Sequence, residues 1–306
     1  MNKTKPTNHK NNMALKKELL SSNLAVELIL HPSRTPDTKE VNEILFNGVE
    51  LGAVAVENDV RGTLTALSVQ HSKLTDRFTA WKKIKNMEDI KAIIPEKSLI
   101  RIYKSKPKTL EQIKSSLTVM DLTFEELKAF SAYGNQELLN FSDYLALYSP
   151  IASLLSRIPK LAIDIQDKTL SEKVLAELEE HKLDSNVYVI IERSINSFIL
   201  TKKLIDQKGK DIQIGFSPPR ELLKNEGTTA FKDCVRSSII NDGVKLLSIN
   251  INELPIIANV ISKFKYENTN KNLSLLVYIP SENLNIDNIL QLLTKNKAIK
   301  TLQIDN

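Results

Sequence analysis

Glycine is scarce in this chain: 8 residues in 306, against an average usage of about 7%. So few glycines build no Gly-rich phosphate loop, which excludes the nucleotide P-loop and the dinucleotide-binding fingerprint. Cysteine is rarer still. The single Cys234 forms no intrachain disulfide. It falls in the helical pattern FKDCVRSSII, where a small buried residue is expected. No Cys/His cluster has zinc spacing. No run of 18 apolar residues occurs, and the start, MNKTKPTNHKNN, is polar and basic with no signal-type apolar stretch. A cytoplasmic, reduced setting is expected, although export that ignores amino-terminal signals leaves no mark on this test. Acidic and basic residues nearly balance, 37 against 42, for a net charge of +5. Aromatics are few and do not interleave with the lysines, so no nucleic-acid partner is expected. An anionic headgroup or membrane surface suits the small basic excess better, and a solvated lysine face accounts for it equally.

What the chain does have is alternation. Apolar strand-like runs fall at 24–30, 53–57, 64–70, 161–165, 187–191, 211–215, 244–250, 274–279 and 300–304. Between them lie patterns such as TKEVNEILFN, LSEKVLAELEEHK, INSFILTKKLI, ELPIIANVISKF and NIDNILQLLTK, with apolar residues recurring at three and four. Strand, helix, strand repeated in this way predicts a parallel sheet covered by helices, in one domain of this length.

Residues 52–77 carry the chemistry. Glu57 and Asp59 are two apart, so a strand sends both to one face. Carboxylates converging from one strand repel unless a cation lies between them, and a hard divalent ion is the usual one. Two solvated carboxylates on an edge strand fit the same spacing, and the pair alone does not decide. His71 follows the next apolar run, and Asp76 and Arg77 come shortly after.

The order LILHPSRTPDTKE, GAVAVENDV, QHSKLTDR resembles the opening of the glycerophosphodiester phosphodiesterase family, with its His-Arg-Gly strand end, its Glu-Leu-Asp strand and its second histidine before an Asp-Arg. DLTFEELKAF at 121–130, LLNFSDYLAL at 138–147 and PKLAIDIQDK at 159–168 are similar to the segments that follow in that family. VIIERSINSF and TLQIDN match it more loosely. The resemblance implies a (β/α)8 TIM barrel over 24–306, after a basic tail and helix at 1–23. It implies catalytic histidines at His31 and His71, and Mg or Ca held by Glu57, Asp59 and Asp164.

Three positions depart from the family pattern. The arginine after the first histidine is Pro32, the lysine two residues after the third carboxylate is Gln166, and that carboxylate is Asp164 where glutamate is usual. Both lost cations are phosphate contacts, and neither proline nor glutamine replaces their charge. Arg34 or Arg61 is the expected substitute. The implied activity is hydrolysis of a small phosphodiester, a glycerophosphodiester or a lysophospholipid, by two-histidine acid/base chemistry. A second reading also fits the losses: an inactive barrel that binds a lipid or a protein. Nothing in the sequence sets the oligomeric state.

Residues 79–120 break the alternation, with Lys82, Lys83, Lys85, Lys91, Lys97, Lys104, Lys106 and Lys108, the single Trp81, and a strand-like SLIRIY at 98–103. This is expected to be an enlarged insertion after the second barrel strand, an aromatic and basic flap suited to peripheral membrane contact or simply a solvated subdomain. The sequence ends on its last strand pattern, so the amphipathic MALKKELLSS at 13–22 is expected to pack near the gap left there or to cover the barrel floor.

Overall fold

The computed structural model describes residues 5–22, 24–32, 38–70, 75, 78–104, 109–154, 157–167, 170–267, 273–283 and 285–305. Nine strands form one sheet: β1 (Glu27–His31), β2 (Ala55–Gly62), β3 (Leu67–Val69), β4 (Lys160–Ile165), β5 (Val187–Glu192), β6 (Gln213–Phe216), β7 (Leu246–Asn250), β8 (Ser274–Ile279) and β9 (Ile299–Asp305). Each of the nine apolar runs in the sequence coincides with one of them. β1 pairs in parallel with both β2 and β9, which closes β1, β2 and β4–β9 into an eight-stranded parallel barrel. β3 lies outside that cylinder, antiparallel to β2. Helices run between the barrel strands, as the spacing of three and four predicts. The fold is the (β/α)8 barrel.

Period-two alternation decides what each strand contributes. Val56, Val60, Leu161, Ile163 and Ile190 face outward into the main core beneath the helices. Ile29, Ala55, Ala162, Val189, Ile191, Leu246 and Leu276 fill the barrel interior. That plug makes the barrel a packed core rather than a pore. Continuing the inward register two residues toward the carboxyl ends brings polar side chains: His31 above Ile29, Glu57 above Ala55, Asp164 above Ala162 and Tyr278 above Leu276.

The amino-terminal helix (Lys5–Ser21) packs against the helices Thr38–Leu51 and Ile286–Lys295, with Leu15 and Leu19 buried. Asn12 ties it to the barrel by donating to the Asp305 carbonyl at 2.8 Å.

Between β3 and β4 the insertion is helical and has its own apolar cluster, including Trp81, Ile90, Leu99, Leu117, Leu127 and Phe130. Reciprocal side-chain caps start two of its helices, Asn86 with Asp89 and Thr123 with Glu126. The expected strand at 98–103 is instead a helix, Glu96–Tyr103. Leu99, Ile102 and Tyr103 pack on the same cluster, the i, i+3, i+4 stripe of a helix; so short an apolar run fits either period. Trp81 is also not the surface aromatic of a flap. It is buried, stacks edge-on against Phe130 at 5.2 Å and donates its Nε1–H to the Thr75 carbonyl at 2.8 Å.

Candidate active site

Four neighbouring strands, β9, β1, β2 and β4, carry most of the site at their carboxyl ends, where barrel enzymes place their chemistry. Glu57 and Asp59 rise from β2, and Asp164 comes from β4, whose register sets Asp164 beside Asp59. One oxygen from each of the three lies within 4.8 Å of the others. On a calcium ion with bonds of about 2.3–2.6 Å, two ligand oxygens can be as far apart as about 5 Å; the shorter bonds to magnesium, about 2.0–2.1 Å, require a modest contraction. The three carboxylates named from the sequence thus fit a shared divalent cation.

The electrostatics point the same way. Burial, together with Asp59 and Asp164, pushes Glu57 up to about 8 even though His31 and Arg193 pull it down. A buried carboxylate cluster of this kind is stabilised by positive charge at its centre.

His31, at the end of β1, faces the cluster. Its Nε2 is 3.1 Å from Glu57 Oε2 and 3.8 Å from Asp59 Oδ2. Its Nδ1 is 3.0 Å from Asp305 Oδ1, across the seam where His31 pairs with Asp305. Burial disfavours the charged imidazolium, but Glu57, Asp305 and Asp59 outweigh it and raise the His31 pKa well above the usual histidine range. Asp305 also accepts from Tyr278 Oη at 3.0 Å and from the Ser281 N–H at 2.9 Å. Burial raises its pKa, yet the His31 contact and these donors leave it lowered overall. Gln303 donates to Glu57 Oε2 at 2.7 Å.

His71 and Arg34, the other histidine and one of the two arginines read from the sequence, lie outside the described residues. The residue before His71 is placed: the Gln70 N–H donates to the Asp59 carbonyl at 2.9 Å, so the chain leading to His71 runs along β2. Arg61 is buried at the rim of the site. Its Nη1 pairs with Asp167 at 2.7 Å and its Nη2 donates to Gln166 Oε1 at 3.3 Å. Gln166, which stands where the family lysine is lost, uses its amide to hydrogen-bond Asp59.

Sequence reading missed Arg193. One residue beyond β5, it forms a fork on Asp164, Nε to Oδ1 at 3.0 Å and Nη2 to Oδ2. Burial opposes its charge, but Asp164 and then Asp59 and Glu57 raise its pKa. Its only sequence signal is a cation placed just after the apolar run VYVII. Glu192 beside it is buried, accepts from Ser171 Oγ at 2.7 Å and Thr201 Oγ1 at 2.6 Å, and faces away into the helix layer.

Among solved structures, one similar chain is a protein of Agrobacterium tumefaciens assigned as a glycerophosphoryl diester phosphodiesterase, at 12% identity and a TM-score of 0.52, covering 91% of this chain and 93% of that one. The fold is that of the glycerophosphodiester phosphodiesterases. A glycerophosphodiester phosphodiesterase from the same organism matches at 11% identity and a TM-score of 0.49, over 91% of this chain and 94% of that one. No family model and no curated protein matches the sequence.

Proposed function

We propose that this chain is a divergent glycerophosphodiester phosphodiesterase that hydrolyses a glycerophosphodiester or a lysophospholipid. The observation that carries the reading is the convergence of Glu57, Asp59 and Asp164 within 4.8 Å, with His31 Nε2 at 3.1 Å from the first of them. The cation they would hold, Mg2+ or Ca2+, supplies charge neutralisation at the phosphoryl oxygens.

The chain's own residues do the rest. Asp305, a carboxylate, only accepts, so it fixes a proton on His31 Nδ1 and leaves Nε2 facing Glu57 and Asp59, beside the place a cation-bound phosphoryl group would occupy. His31 and His71 share the proton transfers. One takes the proton of the attacking hydroxyl, whether water or the substrate's own, and the other protonates the leaving oxygen. Gln303 and Gln166 hold Glu57 and Asp59 in place as hydrogen-bond donors that add no charge. The exposed lysines of the insertion would serve for transient contact with an anionic lipid surface.

A second reading, an inactive barrel that binds a lipid or protein, has one observation in its favour. Arg193 already neutralises Asp164 through both carboxylate oxygens. The test is product release from glycerophosphocholine and from lysophosphatidylcholine with added Mg2+ or Ca2+, repeated with chelator. Metal-dependent release of glycerol phosphate or of the free headgroup supports the enzyme. Absence of turnover on both substrates with both metals supports the binding module.

A further inference from the structure

We infer that Arg193 is the phosphate-binding cation of this site. The inference rests on the phosphodiesterase reading above and names the group that grips the substrate.

The site is crowded with negative charge: Glu57, Asp59, Asp164 and Asp305 all reach it. A phosphodiester is itself an anion and needs fixed positive donors beyond one metal ion to settle there. Pro32 and Gln166 occupy the positions where cations are lost. Arg61 is poorly placed to replace them. Its side chain is 9% exposed, its Nη1 is spent on Asp167 and its Nη2 on Gln166.

Arg193 meets the requirements. Its side chain is 34% exposed, at the carboxyl end of the fourth barrel strand, while its partner Asp164 is nearly buried. The fork on Asp164 uses the Nε–H and one Nη2–H. A guanidinium has five N–H donors, so three remain to be directed by a plane that Asp164 already holds. A carboxylate has lone pairs enough to keep this fork and still contribute an oxygen to a cation. Asp164 would then be shared by Arg193 and by the cation that Glu57, Asp59 and Asp164 would hold. A further anion drawn to both positive charges would lessen their mutual repulsion, so a phosphoryl group would be bound by both together.

The experiment measures binding rather than turnover. Calorimetry on the full chain gives the affinity for Ca2+ or Mg2+ alone, and for glycerol 3-phosphate and inorganic phosphate on the metal-loaded protein. It is run on wild type, Arg193→Ala, Arg193→Lys and Arg61→Ala, with melting curves to confirm folding. Arg193→Ala should take up metal as well as wild type or better, because a competing positive charge is gone, and should bind both phosphate probes at least tenfold more weakly. Arg193→Lys keeps the charge and loses the fork, so a loss of at least threefold is expected, and this variant decides the matter if the alanine variant does not fold. Arg61→Ala should lose less than Arg193→Ala. Probe affinity within twofold of wild type in a folded, metal-binding Arg193→Ala overturns the inference, as does a wild type that takes metal but neither probe. A protein whose phosphate binding depends on Arg193 but which hydrolyses nothing sinks the phosphodiesterase reading and leaves this one standing. Uptake of neither metal nor probe by wild type sinks both.

Discussion

Asp305 and His31 are 274 residues apart and meet at 3.0 Å, so the last strand of the barrel orients the histidine carried by the first. Asp305 lies two residues beyond Gln303, which donates to Glu57 from the same strand. The seam that closes the barrel is therefore also the joint that aims His31.

Removing either partner should separate chemistry from orientation. His31→Ala is expected to lower the rate of diester hydrolysis by about a hundredfold to ten-thousandfold, the usual contribution of a general acid or base. Asp305→Asn should cost less, about ten- to a hundredfold, and should alter the pH dependence of the rate because the amide no longer fixes the Nδ1 proton. Steady-state rates across pH for the two variants check this. Equal rates for wild type and Asp305→Asn at every pH would deny Asp305 its role.

The strand–helix alternation and the Glu57/Asp59 pair were legible as local patterns, whereas closure into a barrel and the choice of Asp164 came from the family resemblance. Nine apolar runs mark nine strands, and a two-residue spacing puts Glu57 and Asp59 on one face of β2. The rest of the site is assembled by closure. Asp164 and Arg193 are 29 residues apart, on adjacent strands joined through a helix, and no spacing rule links them. Asp305 appeared only as a strand ending until the seam with β1 placed it against His31. Gln166 read as a lost cation, whereas its amide occupies the Asp59 carboxylate. The segment at 98–103 misled because six apolar-rich residues carry too few turns to fix a period; Leu99, Ile102 and Tyr103 meeting one apolar cluster at helical spacing make it a helix.

Metal binding should expel protons. Burial and the neighbouring carboxylates hold Glu57 up at about 8 in the metal-free protein, and His31 is also raised. A cation needs the ionised carboxylate, so its affinity should climb as pH rises toward about 8, with proton release below that pH. Calorimetry in buffers of different ionisation enthalpy reads the release directly. Stability has the opposite slope without metal. Both groups bind protons more tightly folded than unfolded, so metal-free stability should fall as pH rises from about 4.5 through 8. Glu57→Gln should flatten both trends. A metal affinity independent of pH between 6 and 8, as order-of-magnitude bounds of that window, would contradict the assigned cause.

Trp81 offers a test of the aromatic-flap expectation for the insertion. As the only tryptophan, buried with its indole N–H bonded to the Thr75 carbonyl, it should emit at short wavelength. Anionic vesicles should leave that emission unchanged even if the exposed lysines bind them. Trp81→Ala should destabilise the insertion by about 3–5 kcal/mol while the barrel, with a separate core, keeps its own transition. A vesicle-induced shift of the Trp81 emission would return the indole to the surface and restore the aromatic flap.

The central claim is that Glu57, Asp59 and Asp164 hold one divalent cation. Calorimetric titration of Ca2+ and of Mg2+ into the purified chain, alongside Asp164→Asn, tests it most directly. The account predicts one equivalent of divalent cation bound by wild type, because the three oxygens lie within 4.8 Å of one another, and at least a tenfold loss in the variant. Wild type that binds neither ion, or an Asp164→Asn protein that binds as wild type does, contradicts it.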